Sequence, residues 1–299
     1  TYKTQNVRGT EDYYSYNVSL GGDWVINNKS YLSFNAALRG IPTESMEKGN
    51  GTLKNDVFTT DYHIQNHTKS SSWVNVYNLF HQYTFSKDVT LENTLNFTYN
   101  WNDDQEEQNE KGTDYLYKNL MRNKTDVYTG SYTAVIGKSF DKSALEIGNQ
   151  LQYERMDLKQ PSSTISNNFT HKRWKEYLYA DYIYNGAPFS FSTSLGWDLT
   201  FNEVEGKKKN YSRLKYSLSM DVELGKNGGV KLFSRGYTVD PSSAYLNPYD
   251  TSTDSLLIVC GNPSLMPYYY KEVGLAIGYS FGNFYFWPQL VYSHCSDMI

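Results

Sequence analysis

Cysteine is scarce. Cys260 and Cys295 are the two in 299 residues. They cannot build a disulfide framework and lack the C-x-x-C spacing of zinc or redox sites. One bridge between them and two plain thiols both stay open. No run of 18 or more apolar residues occurs, so no helical membrane span is encoded. Basic blocks are missing too. Lys plus Arg is 28 against 32 for Asp plus Glu, which argues against a nucleic-acid partner. No basic n-region followed by an apolar h-region opens the chain, so no signal peptide is expected within it. The G-x-S-x-G, H-E-x-x-H and Walker signatures are absent. No nucleophile–base or metal constellation emerges, so an enzymatic role, a cofactor and a metal are not expected. No segment longer than ten residues carries a helical stripe.

What the chain does have is aromatics. Tyr (29), Phe (14) and Trp (6) make 16% of a sequence only 39% hydrophobic, with a mean hydropathy of −0.65. The dominant period is two. Tyr14, Tyr16, Val18, Leu20, Gly22, Trp24 and Ile26 alternate with Ser15, Asn17, Ser19, Gly21, Asp23 and Val25. A strand sends such sets to opposite faces. The same alternation predicts strands over 89–101, 189–201, 214–224 and 273–281. Less regular strands are expected over 31–39, 73–85, 126–137, 144–156, 174–184, 230–237 and 284–295, giving twelve.

The connections alternate in length. Short turns fall at 27–29, 86–88, 138–142, 185–188, 225–229 and 282–283, with residues suited to tight hairpins. Between them lie long polar stretches at 40–72, 102–125, 157–173, 202–212 and 238–268. Outer-membrane barrels have this asymmetry of short periplasmic turns and long extracellular loops. Segment 57–64 is extended in character and is read as loop, or as strand projecting above the membrane. The fold class expected is all-β, an antiparallel up-and-down transmembrane β-barrel. Aromatics cluster near strand ends (Trp24, Trp73, Trp101, Trp174, Phe201), where girdles form.

Within the expected loops, Asp103, Asp104, Glu106, Glu107, Glu110 and Asp114 form the densest carboxylate run. A solvated mobile loop is favoured over a Ca²⁺ site, because the spacing fits no EF-hand. His63 and His67 would share a strand face about 13 Å apart, too far for one metal. The last long loop is punctuated by Pro and Gly. Its Tyr237, Tyr245, Asn247, Tyr249 and Asn262 are candidates for contact with a solute, against the reading that the segment only shapes itself.

That loop also carries a resemblance. Ser234-Arg235-Gly236-Tyr237-Thr238-Val239-Asp240-Pro241 precedes Leu246-Asn247-Pro248, then Gly261-Asn262-Pro263-Ser264-Leu265-Met266-Pro267. This resembles the outer-membrane β-barrel family of Bacteroidetes-type bacteria, allied to TonB-dependent receptors. The resemblance covers about 126–299, and the earlier half agrees only in pattern. The motif positions are Arg235, Pro241, Leu246, Asn247, Pro248, Gly261, Asn262, Pro263, Leu265 and Pro267. Two positions depart: Asp240 stands where the family has Arg, and Tyr268 where an acidic residue often follows. The resemblance implies nutrient uptake across a bacterial outer membrane, with lipid around the barrel, a plug domain inside it and a TonB complex as power source. A surface lipoprotein cap is left open. Receptor barrels have about 22 strands, so residues 1–299 read as a single β-barrel domain that is one part of a larger barrel. No plug or TonB box is identified in the sequence. The alternatives are a passive porin-like channel and a soluble or surface β-rich glycan-binding or adhesion protein.

Overall fold

The computed structural model describes residues 2–54, 57, 59–113, 115–161, 167–252 and 256–296. Fourteen strands form one antiparallel sheet in up-and-down order. They are β1 (Tyr2–Tyr13), β2 (Tyr16–Asn27), β3 (Ser30–Lys54), β4 (Thr59–Ser86), β5 (Val89–Gly112), β6 (Leu116–Ser139) and β7 (Ser143–Gln160). There follow β8 (Asn167–Gly186), β9 (Phe189–Val204), β10 (Lys207–Leu224), β11 (Gly228–Val239), β12 (Tyr268–Phe281), β13 (Phe284–Phe286) and β14 (Gln289–Ser296). Among the described residues the one helix, α1, is a single turn over Ser243–Leu246.

The fourteen strands make the twelve staves expected. β1 and β2 lie end to end along β3, and β13 and β14 end to end along β12. Each remaining stave pairs with its neighbours in sequence. Among the described residues no ladder joins β2 to β14, so the sheet has two open edges.

Alternation sorts the faces. On β9, Leu195, Trp197 and Phe201 point outward and are about half exposed, while Asp198, Thr200 and Asn202 point inward and are 8% exposed or less. Register carries this polarity across the sheet. Phe34 pairs with Leu79, Leu79 with Leu95 and Leu95 with Tyr132, all outward. The inward positions opposite them include Asn35, Asn78, Asn96 and Ser131.

Two aromatic rows bound the outward apolar band. One holds the stacked pairs Tyr16–Trp73 and Tyr99–Tyr128 and the tilted pair Tyr153–Trp174. The other holds Tyr83–Phe85 and Tyr184–Phe189 beside the short turns. Trp174 to Tyr184 spans ten residues, which is ~33 Å of strand and ~25 Å once tilted by ~40°. That is the height of a hydrocarbon band.

The long polar stretches are corrected by the structure. Most of 40–72, 102–125, 157–173 and 202–212 is not loop. Each strand pair continues beyond the upper aromatic row as a hairpin, and β3 and β4 stay paired from Ser30↔Tyr83 to Lys54↔Thr59. From Pro42 to Lys54 this adds ~40 Å of strand. The carboxylate run is therefore ordered and split between faces. Asp103 points outward and is bidentate to Arg122, with Lys124 at 3.7 Å. Glu110 points inward, fully buried, bound by Lys3 at 2.7 Å, Tyr115 at 2.6 Å and Gln108 at 2.6 Å. Asp114 lies outside the described residues. His63 binds Asn50 and His67 binds Glu44, both outward. Among the described residues the one long connection is that between β11 and β12.

Candidate functional site

Residues 240–252 and 256–267 follow β11 and lie across the inner face at the end opposite the short turns. The segment acts as a strap. Its anchor is Leu246 at the end of α1, fully buried among Leu158, Phe169 and Val204 of β7, β8 and β9. Met156, Tyr249 and Leu265 pack around that cluster. Further along, Gln160 donates to the Asp250 carbonyl at 3.2 Å and Lys209 to the Ser264 carbonyl at 3.0 Å. Leu256 and Leu257 share a crevice with Lys3 and Gln5 of β1. The strap thus reaches from the β7–β10 wall to the first stave.

Polar groups lock the anchored end. His171 is buried, with Nε2 2.5 Å from Asn202 Oδ1 and Nδ1 2.8 Å from Ser243 Oγ. Desolvation holds the imidazole below the usual histidine range, with the Asn202 hydrogen bond opposing. In the neutral ring Nε2–H donates to Asn202, and Nδ1 accepts from the Ser243 hydroxyl. That hydroxyl also lies 3.2 Å from Glu154. Arg173 pairs with Glu154 at 2.7 Å and donates to the Pro241 carbonyl at 3.4 Å. Lys175 bridges Asp240 at 2.7 Å and Asp198 at 3.6 Å, and the Tyr211 hydroxyl donates to Asp240 at 2.8 Å. These contacts give the acid at position 240 its role. An Arg at 240 would face Arg173 and Lys175, whereas the acid there neutralises them.

The motif residues hold one another. Gly261 N–H donates to the Asn247 carbonyl at 2.6 Å, and Asn262 N–H to the Tyr245 carbonyl at 2.7 Å. Side-chain amide oxygens of Asn247 and Asn262 accept from Tyr249 and Ser264 N–H. A Cβ on Gly261 would sit 2.3 Å from the Tyr245 oxygen, so only glycine permits this approach.

The expected contact residues therefore divide. Asn247 is buried at 3% and turned into the strap, and Tyr249 is half-buried against the anchor. Tyr245, at 66%, and Asn262 are exposed. Tyr237 lies below the strap, 5.3 Å from Tyr270, with the Arg235 guanidinium 5.9 Å from its ring and Arg235 bound to Glu272 at 2.7 Å. Of the motif residues, Leu246 is the anchor, Leu265 its cover, and Pro267 is buried where β12 begins. Pro241, Pro248 and Pro263 are partly buried within the strap.

Sequence reading missed the wall. Arg173, Lys175 and Tyr177 alternate inward on β8, with Lys215 4.4 Å over the Tyr177 ring. Tyr177 and Tyr179 in turn cover Gly196 and Gly148 of the adjoining strands. The signal was the period-two pattern itself, because odd positions from His171 to Asp181 share the inward face. Cationic, anionic and aromatic groups thus line a vestibule under the strap. It offers hydrogen bonds, ion pairing and ring stacking. Among the described residues no cluster of three His, Cys, Asp or Glu fit for a metal occurs.

No protein-family model matches the sequence, and no curated protein sequence matches it. Solved structures do. The chain is similar to the pyoverdine outer membrane receptor FpvA from Pseudomonas aeruginosa PAO1, with TM-score 0.63 and 10% identity over 98% of this chain and 53% of that one. It is also similar to the ferric yersiniabactin uptake receptor FyuA from Yersinia pestis, with TM-score 0.54 and 11% identity over 99% and 55%. A third is the alcaligin outer membrane receptor FauA from Bordetella pertussis, with TM-score 0.54 and 12% identity over 98% and 51%. At this identity the likeness concerns the fold. The chain spans about half the length of the receptors it matches.

Proposed function

We propose that this chain forms part of the wall of a bacterial outer-membrane receptor that imports a bulky solute, powered through a TonB complex. The observation that carries the reading is the outward apolar band between two aromatic rows, with a polar vestibule strapped over at one end. An apolar exterior of this height suits lipid, and an inner face of Asn, Ser, Thr and paired charges suits water and polypeptide. Two open edges cannot stand in hydrocarbon, where every backbone group needs a partner. The reading therefore includes further staves that close the sheet and a plug polypeptide that fills it. The vestibule residues Tyr177, Lys215, Arg235 and Tyr237 would meet the incoming solute. The similar structures are receptors for pyoverdine, yersiniabactin and alcaligin, so ferric siderophores are the first class to test.

The test is uptake of radiolabelled ferric siderophores by cells carrying the full-length protein. Accumulation that stops when the proton-motive force is collapsed supports the reading. Accumulation indifferent to that collapse makes the protein a passive channel. Recovery of the protein in buffer without detergent removes the membrane reading altogether.

A further inference from the structure

The wall itself has a defect at the upper aromatic row. β10 pairs with β9 along its whole length, up to Lys207↔Val204. Its pairing with β11 stops much lower, at Tyr216↔Gly236. β11 continues upward with β12 to Val239↔Tyr268 and then becomes the strap. A seam therefore opens between β10 and β11 above Tyr216. It is crossed on the outer face by Tyr269, whose hydroxyl donates to the Leu214 carbonyl at 2.6 Å.

Two clefts of about 510 and 440 Å³ flank this crossing and share Tyr216 and Lys271. The outer positions of β11 here are small, Ser234 and Gly236, whereas those on either side are large. Trp197, Leu214 and Tyr216 form one bank, and Val273 and Tyr292 the other. Lys271 stands exposed between them with its ammonium 5.4 Å from the Tyr269 ring. Among the described residues no carboxylate lies within 4 Å of it. His294 pairs with it across β12 and β14, and the Arg213 guanidinium sits 5.7 Å over the same Tyr269 ring. The carboxylate that lines either cleft, Glu272, is engaged by Arg235 and Tyr270.

Above the band Lys69, Arg122, Arg155 and Lys172 point outward and each has a carboxylate partner. At the seam, cationic groups and hydroxyls sit over an apolar groove that continues into the lipid-facing band. An acyl chain fits the groove, and an anionic headgroup fits Lys271. We propose that the seam seats one lipid of the surrounding leaflet whose phosphate headgroup carries net negative charge. Lys271 holds the phosphate, and Trp197, Tyr216 and Tyr292 flank the chain. The lipid closes the gap that the missing β10–β11 pairing leaves. This rests on the membrane-wall reading above.

The test uses the full-length protein, purified in mild detergent, delipidated and examined by native mass spectrometry. It is titrated with dioleoylphosphatidic acid or with dioleoylphosphatidylcholine. One saturable phosphatidic acid adduct is expected, with affinity falling about tenfold in Lys271→Glu, the loss of one charged contact. Lys271→Arg and the distant Lys172→Gln should bind as the parent does. Should Lys271→Glu not fold, Lys271→Gln carries the same comparison. Equal binding of the two lipids, or an unchanged affinity in Lys271→Glu and Lys271→Gln, overturns the site. A protein that needs no detergent overturns the wall reading, and the site with it.

Discussion

Replacing Leu246 by Ala should release the strap without unfolding the sheet. Leu246 is fully buried and touches three separate strands, so its removal leaves a cavity bounded by rigid backbone. Such truncations cost about 2–5 kcal/mol where the surroundings cannot collapse. Here the loss falls on the equilibrium between docked and undocked strap, because the sheet ladders do not depend on it. At ~3 kcal/mol the ratio of docked to undocked strap falls by a factor of roughly 100. Hydrogen exchange reads this directly. The amides of Gly261 and Asn262 are bonded only within the strap. Their protection should drop by about that factor, while amides in the β8–β9 ladder keep theirs. Unchanged exchange at Gly261 and Asn262 would refute the anchoring role. A parallel loss across β8 and β9 would show that strap and wall unfold together, which also contradicts the reasoning.

The inward–outward assignment predicts that cysteine introduced at Ser192 in the full-length protein reacts with a water-soluble reagent, whereas one at Leu195 in a bilayer does not. Equal labelling would mean the faces are misassigned. Strap docking should weaken with acid. His171 is held below its unfolded value of ~6.5, so the undocked state binds the proton more readily. Stability then rises with pH, and it is lost as pH falls from the ordinary histidine range towards the lowered folded one. Exchange of strap amides between pH 7 and 5 checks the sign, and His171→Gln should flatten the dependence. Finally, Gly261→Ala cannot fit its Cβ against the Tyr245 carbonyl. The strap of this variant should be cut by protease at concentrations that leave the parent intact.

Period two was enough to place all twelve staves within their apolar bands, because there one face is apolar and the other is polar. Above the upper aromatic row that contrast disappears. Glu44, Lys48, Gln65 and Lys69 of β3 and β4 all point outward into water, and inward positions such as Glu47 and Asn66 are polar as well. A strand wet on both faces reads as loop, so the hairpin extensions were invisible. Glu110 looked like part of a solvated acidic run for the same reason. Its partner Lys3 lies 107 residues away, and nothing local announces that pairing. The strap motif was visible as punctuation, but its purpose was not. Leu246 and Asn247 needed the Phe169 and Val204 wall and the Gly261 turn to show that they brace the segment. Asp240 became intelligible only beside Lys175.

The strict neighbour-to-neighbour ladder has a kinetic consequence. Except across the strap between β11 and β12, each stave finds its partner a short way along the chain, so loop-closure entropy is small at those steps. Assembly can then advance as a zipper, one hairpin at a time. The row of unpaired N–H and C=O groups on the newest stave templates the next. The last stave added is always the exposed one, and a slip of one residue would turn Trp197 to the lumen and Asp198 to the lipid. The alternating pattern thus proofreads each addition before the following stave covers it.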